Sequence, residues 1–243
     1  MNTAARLKSG VLVSFFLILT ATIASQENSQ IDSLQVVLSQ AESPADSARV
    51  LCQICWITNT NDSVKTLAYG RMALDLARKQ GDQRLLSEAY DAAALGYWVS
   101  NKTKTACRLY RKSLEIGEKN NFPDRIAWCN YNLAKLAMND NRRDSALKYV
   151  ENAQSAFREA GMLQWMMNSL WMQAKLSTGD EQRRVFSVLL ATTDSLIQHT
   201  SDPATLLLYY LDMAKLYTQL ENQAKSVEYV LKALEIARKS NND

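Results

Sequence analysis

Apolar side chains recur every three or four positions through most of the chain, and nowhere do they alternate with polar ones over a strand's length. That spacing is the period of an α-helix and predicts a succession of amphipathic helices. Asp124 to Met138 is one such segment and Ser145 to Ala160 the next, with Asn139-Asp140-Asn141 as the turn between them. Comparable breaks fall at Asn59-Thr60-Asn61-Asp62, Ser100-Asn101-Lys102, Gly179-Asp180 and Glu221-Asn222. A second set falls at Gly81-Asp82, Asn120 to Pro123, Gly161 and Ser201-Asp202-Pro203. A shorter helix is expected over Ile31 to Gln40, with Ile31, Leu34, Val37 and Leu38 on one face.

The breaks follow a ruler. Ala-Lys-Leu occurs at 134–136, 174–176 and 214–216, forty residues apart each time. The same interval aligns Leu76, Ile116, Ala156, Leu196 and Ile236 as an apolar column, and Ala73, Ser113, Ala153, Thr193 and Ala233 as a small one. Gly70, Tyr110, Val150, Leu190 and Val230 form a third column. Pro44, Pro123 and Pro203 stand near the copy starts, where proline suits the first turn of a helix. A pair of helices cannot cover its own apolar face and must stack on the next pair. An Ala in mid-helix lets a neighbour approach to roughly 8 Å instead of 10 Å. The expected fold class is therefore all-α, a right-handed α-solenoid of about five stacked helix-turn-helix repeats. The copies run over about residues 45–80, 82–120, 124–160, 162–200 and 203–240, preceded by a capping helix and linker at 26–44 and followed by a polar tail at 241–243.

The second copy carries Tyr90, Ala93-Ala94, Tyr97, Ala106, Tyr110 and Ser113, and the fifth carries Tyr210, Met213-Ala214, Tyr217, Ser226, Val230 and Ala233. This alternation of small and large residues across two antiparallel helices resembles the tetratricopeptide repeat (TPR), over about residues 45–240. In the fourth copy Phe186 stands where the family has a small residue, so that pair is expected to splay or tilt. The period exceeds the family's usual ~34 residues. The longer form resembles the variant found in exported bacterial proteins and in the sensory halves of membrane signalling proteins.

Residues 1–25 have basic Arg6 and Lys8, an uncharged run from Val11 to Ile23 and small Ala24 and Ser25. That order predicts a secretory signal peptide, with export to the periplasm or medium. The run falls short of the ~20 residues that span a bilayer, and an uncleaved N-terminal membrane anchor is the alternative. Without Arg6 and Lys8 the balance is 26 basic against 25 acidic residues, which removes any electrostatic reason to hold nucleic acid. Seven Gly and three Pro disfavour a β-sandwich, which needs frequent turns.

The chemistry of catalysis is sparse. A single histidine, His199, excludes HExxH zinc sites and lies at a helix end, where a polar group complements the dipole. The isolated glycines form no phosphate-cradling loop, and there is no Gly-x-Ser-x-Gly elbow. Cys52-x-x-Cys55 has the spacing of a redox motif but falls in mid-helix, where no dipole lowers a thiol pKa, and reads as packing. Cys107 and Cys129 fall on neighbouring helices, and their pairing is left open. A four-cysteine zinc site lacks its second close pair. No cofactor, metal or catalytic residue is expected.

Lys135, Lys175 and Lys215 follow the Ala column, one per copy. The family resemblance implies that first helices line a concave groove and that this place touches bound peptides. Trp128, Tyr131 and Asn132 precede Lys135 within about a turn, Asn168 and Trp171 hold comparable places before Lys175, and Trp98 is expected to project from the preceding copy. Aromatic rings beside cations are typical interface anchors. These residues suggest a strip for an extended acidic or carboxylate-terminated peptide; the plainer reading is a solvated lysine ridge over packing aromatics. Val227, Leu231 and Leu234 on the last helix have no following copy to cover them and suggest self-association or docking of a further segment. Two functional readings follow: a non-enzymatic exported scaffold that binds a protein or peptide, or a periplasmic sensory module whose kinase or regulator output lies elsewhere.

Overall fold

The computed structural model describes residues 29–58 and 62–240. The expected signal peptide, the polar tail and Asn59-Thr60-Asn61 of the first break lie outside those residues. Among the described residues there is no strand. The helices are α1 (29–39), α2 (Pro44–Thr58), α3 (Ser63–Ala77), α4 (Gln83–Val99), α5 (Thr103–Asn120), α6 (Pro123–Asn139), α7 (Arg143–Glu159), α8 (Leu163–Leu176), α9 (Gly179–His199), α10 (Pro203–Gln219) and α11 (Gln223–Ser240). None of the described helices is long and apolar enough to cross a membrane. No residue of α1 is buried; Ile31, Leu34 and Leu38 are half-buried, while Val37, expected on the same face, is exposed.

The turns repeat as regularly as the helices. Gly81, Asn121 and Gly161 take left-handed backbone at φ 74°, 54° and 69°, and Asn101, Asn141 and Glu221 do so at 60°, 56° and 57°. At five helix ends the chain closes with a six-to-one hydrogen bond: Lys102 N to Tyr97 O, Phe122 N to Gly117 O, Arg142 N to Ala137 O, Met162 N to Phe157 O and Asn222 N to Tyr217 O. These bonds satisfy carbonyls that the helix itself leaves open. At the opposite ends Asp62, Asp82 and Asp202 accept from backbone N–H groups of the first turn, and Pro203 begins α10 where its missing N–H is not needed.

The chain divides into two compact units, residues 1–136 and 137–243. In the first, α2 packs on α3 and α4, and α3 and α5 flank α4. The small column is wholly internal there: Ala73 and Ser113 have no exposed surface. Gly70 and Gly96 set how closely α3 and α4 meet. A Cβ on Gly70 would lie 2.6 Å from the Ala92 carbonyl oxygen, and one on Gly96 would lie 2.6 Å from Leu67 Cα. The Ala92 carbonyl also accepts from the Cys55 thiol at 3.1 Å, tying α2 to α4. In the second unit α8 packs on α7 and α9, and α10 on α9 and α11. Ala153, Thr193 and Ala233 are buried in it. Phe186 of α9 stands edge-on to Trp171 of α8 with ring centroids 6.0 Å apart.

Candidate functional site

The first unit holds one cluster of the sequence-derived site residues. Lys135 on α6 is half-buried, and its ammonium lies 4.6 Å from the ring centre of Trp98 on α4 and 5.7 Å from that of Tyr131 on its own helix. Trp128 meets Tyr131 edge to face at 6.1 Å. Burial lowers the Lys135 pKa below the usual lysine value. The rings replace lost water with their negative faces, which is how a cation tolerates partial desolvation. Asn132, between these groups in sequence, is half-buried.

The second unit builds its ledge differently. Trp171 on α8 is only 8% exposed and lies beneath Lys215 of α10, whose ammonium is 4.4 Å from the ring centre. Sequence spacing placed Trp171 with Lys175, four residues later on the same helix, as an anchor in an open groove. That arrangement is corrected here: the ring turns into the space between helices, is covered by the next copy's lysine, and abuts Phe186. Its buried indole N–H has no hydrogen-bond partner among the described residues. Lys175 is exposed and Asn168 half-buried. Asp212, one turn before Lys215, has its pKa raised by burial, with the charge of Lys215 and a hydrogen bond from Gln164 opposing the rise.

A buried polar network in the first unit was not anticipated from sequence. Arg125 and Asp91 are 5% and 4% exposed, and a guanidinium nitrogen lies 3.4 Å from the Asp91 carboxylate. Arg125 Nε also donates to Asp124 at 3.3 Å, and Arg84 reaches the same Asp124 oxygen at 2.7 Å. The Cys129 thiol donates to Asp91 Oδ1 at 3.3 Å, and the Ser87 and Ser113 hydroxyls are 2.8 Å apart nearby in the α4–α5 contact. Burial pushes the Asp91 carboxyl up to about 6 against the pull of Arg125. The sequence signal was a lone carboxylate before Ala92-Ala93-Ala94.

The cysteines are free thiols. Cys107 and Cys129 are thus unpaired with each other. Cys52 and Cys55 are buried in mid-α2, and desolvation raises both, Cys55 to about 12. His199 Nδ1 lies 2.7 Å from the Ser195 carbonyl near the end of α9. Among the described residues no group of three His, Cys, Asp or Glu side chains is placed to hold a metal.

No protein-family model matches the sequence, and no curated protein matches it. Solved structures do match the fold. BtubC (BKLC) from P. vanneervenii is 19% identical, with a TM-score of 0.64 over 89% of this chain and 93% of its own. A kinesin light chain from Podosopora anserina with nearly identical TPR-like repeats is 13% identical, with a TM-score of 0.60 over 84% of this chain and all of its own. A Rap protein complexed with competence and sporulation factor is 15% identical, with a TM-score of 0.57 over 88% of this chain and 71% of its own. The fold of this chain is that of TPR-like repeat proteins.

Proposed function

We propose that this protein is a non-enzymatic, exported scaffold that holds an extended peptide, acidic or ending in a carboxylate, on the first helices of its repeats. The observation that carries the reading is an ammonium held over an indole, Lys135 on Trp98 and Lys215 on Trp171, the two lysines standing at the same place of the forty-residue repeat and the two rings at different ones. Each pair presents a cation whose stem and underlying ring are already ordered, so a carboxylate meets little entropic penalty on binding. Exposed Lys175 supplies a further cation on α8. The likeness in fold to a Rap protein solved with competence and sporulation factor is consistent with peptide capture. The same likeness also fits a sensory module whose output lies in a partner, and a membrane-bound partner co-purifying from the cell envelope would favour that form of the reading.

Charge reversal at Lys135, Lys175 and Lys215 together tests the proposal against a fluorescent oligo-glutamate peptide. Binding that weakens by roughly a hundredfold, with helicity by circular dichroism retained, supports it. Equal binding by the reversed protein overturns it. Cell fractionation tests export: protein confined to the cytosol would contradict that part.

A further inference from the structure

On α10 two exposed leucines stand in line with a lysine. Leu208 and Leu211 are 55% and 47% exposed, and Lys215 is exposed one turn beyond Leu211. Steps of three and four residues put all three on one face of the helix. The forty-residue interval aligns Leu208 with Trp128 and Asn168, Leu211 with Tyr131 and Trp171, and Lys215 with Lys135 and Lys175. The fifth copy thus keeps the cation of the strip and has plain aliphatic surface where the other copies have aromatic or amide groups. The apolar strip on α11, Val227, Leu231 and Leu234, is exposed too, and nothing in the structure shows what covers it.

On α10 the neighbouring charges narrow the occupant. The Lys215 ammonium is held over the Trp171 ring at 4.4 Å, and Leu211 lies about 6 Å from Lys215 along the helix axis. A carboxylate and an aliphatic side chain that diverge from one Cα match that spacing, and only a chain end offers them together. Asp212 flanks the same face, half-buried, with Lys215 and a hydrogen bond from Gln164 of α8 favouring its charge. An acidic side chain laid on the leucines would lose water and be repelled by Asp212, whereas an aliphatic one gains from the contact. An internal acidic residue would also lay its backbone amides over the leucines, and α10 spends its own backbone groups within the helix.

We infer that α10 seats the C-terminal residue of the bound peptide, and that this residue is a large aliphatic one. Its carboxylate lies on Lys215 and its side chain on Leu208 and Leu211. The inference rests on the peptide-binding reading above and names the ligand end that the fifth copy selects.

Fluorescence anisotropy with labelled oligo-glutamate peptides ending in leucine, in serine and in leucine amide tests it. The wild type is expected to bind the leucine-ended acid roughly tenfold more tightly than either of the others. L208Q/L211Q should bind the leucine- and serine-ended acids alike, with circular dichroism unchanged. K215M should lose the distinction between leucine acid and leucine amide, and L231Q/L234Q on α11 should leave every preference as it is. A wild type that does not distinguish leucine from serine, or acid from amide, overturns the inference. So does a preference that survives in L208Q/L211Q or disappears in L231Q/L234Q. A dimer in sedimentation that L208Q/L211Q dissolves, without any peptide preference, gives the face to a second copy and overturns it as well. Peptides that all bind equally leave the groove reading standing and remove only this inference; peptides that all fail to bind remove both. The acid and amide comparison in wild type and K215M decides even where L208Q/L211Q fails to fold.

Discussion

The ammonium of Lys215 sits 4.4 Å from the centre of the Trp171 ring, although the two are forty-four residues apart in sequence. The contact joins the first helices of successive repeats, and the indole N–H has no hydrogen-bond partner among the described residues. The ring acts as a floor for the cation, and the cation as a lid for the ring. Lys215→Met keeps the stem and loses the charge, so stability falls by only about 0.5–1 kcal/mol while acidic-peptide binding weakens. Trp171→Ala empties a buried site and costs about 3–5 kcal/mol. Urea unfolding of both variants separates the two effects.

Gly70 and Gly96 permit the backbone contact of α3 and α4, and the room they leave is already filled. Gly96→Ala drives a Cβ to 2.6 Å from Leu67 Cα, a clash with backbone that only a shift of the helix relieves. The expected loss is about 2 kcal/mol or more. Gly81→Ala meets nothing within 4 Å and bears only the strain of its φ of 74°, about 1 kcal/mol. Thermal melts of the two variants should rank them in that order.

Asp91 makes the first unit sensitive to pH in an unusual direction. Its carboxyl titrates near pH 6 in the folded chain and near 3.8 when exposed, so the native state binds the proton more tightly. Stability from this group therefore rises as pH falls from about 7 to about 4. Asp62, Asp202, Glu228 and Glu235 have lowered pKa values and act in the opposite sense. The difference between wild type and Asp91→Asn isolates the Asp91 contribution. Urea titrations at pH 4.5 and 7.5, chosen to bracket the window, should show the wild type gaining on the variant at the lower pH.

Thiol reactivity should follow burial. Cys52, Cys55 and Cys129 are buried with raised pKa values, whereas Cys107 is half-buried. In the folded protein at mildly alkaline pH, Cys107 should react first with a disulfide reagent, and the other three only on unfolding. Fast labelling of Cys52 would reopen the redox reading of the Cys-x-x-Cys pair.

Glu221 occupies a left-handed turn position, φ 57°, where the corresponding turns have asparagine at 101 and 141. Asparagine and glycine tolerate that backbone better than glutamate. Glu221→Gly should raise stability by about 0.5–1 kcal/mol, read as an increase in Tm; no change would mean the turn relaxes freely.

Helix periods, turn residues and the forty-residue interval were legible in the sequence because each is a local property. A run of apolar residues three and four apart favours helix wherever it lies, and Asn or Gly at a helix end chooses left-handed backbone without help from distant residues. Hence the breaks around Asn101, Asn141 and Gly161 could be placed from the sequence, and so could the small column that proves to be buried from Ala73 to Ala233, whereas the break expected at Gly179-Asp180 falls at Ser177-Thr178, just before α9. The choice of neighbour was not local. Trp171 stands four residues before Lys175, yet it lies under Lys215, because the ring fills the gap beside the next first helix and not the one along its own. Asp91 and Arg125 gave no sign in sequence of meeting, and only the close approach of α4 and α6 brings them out of water together. Sequence spacing along one helix sets which residues share a face. Which face meets which, and at what depth, is decided by the packing of helices many residues apart.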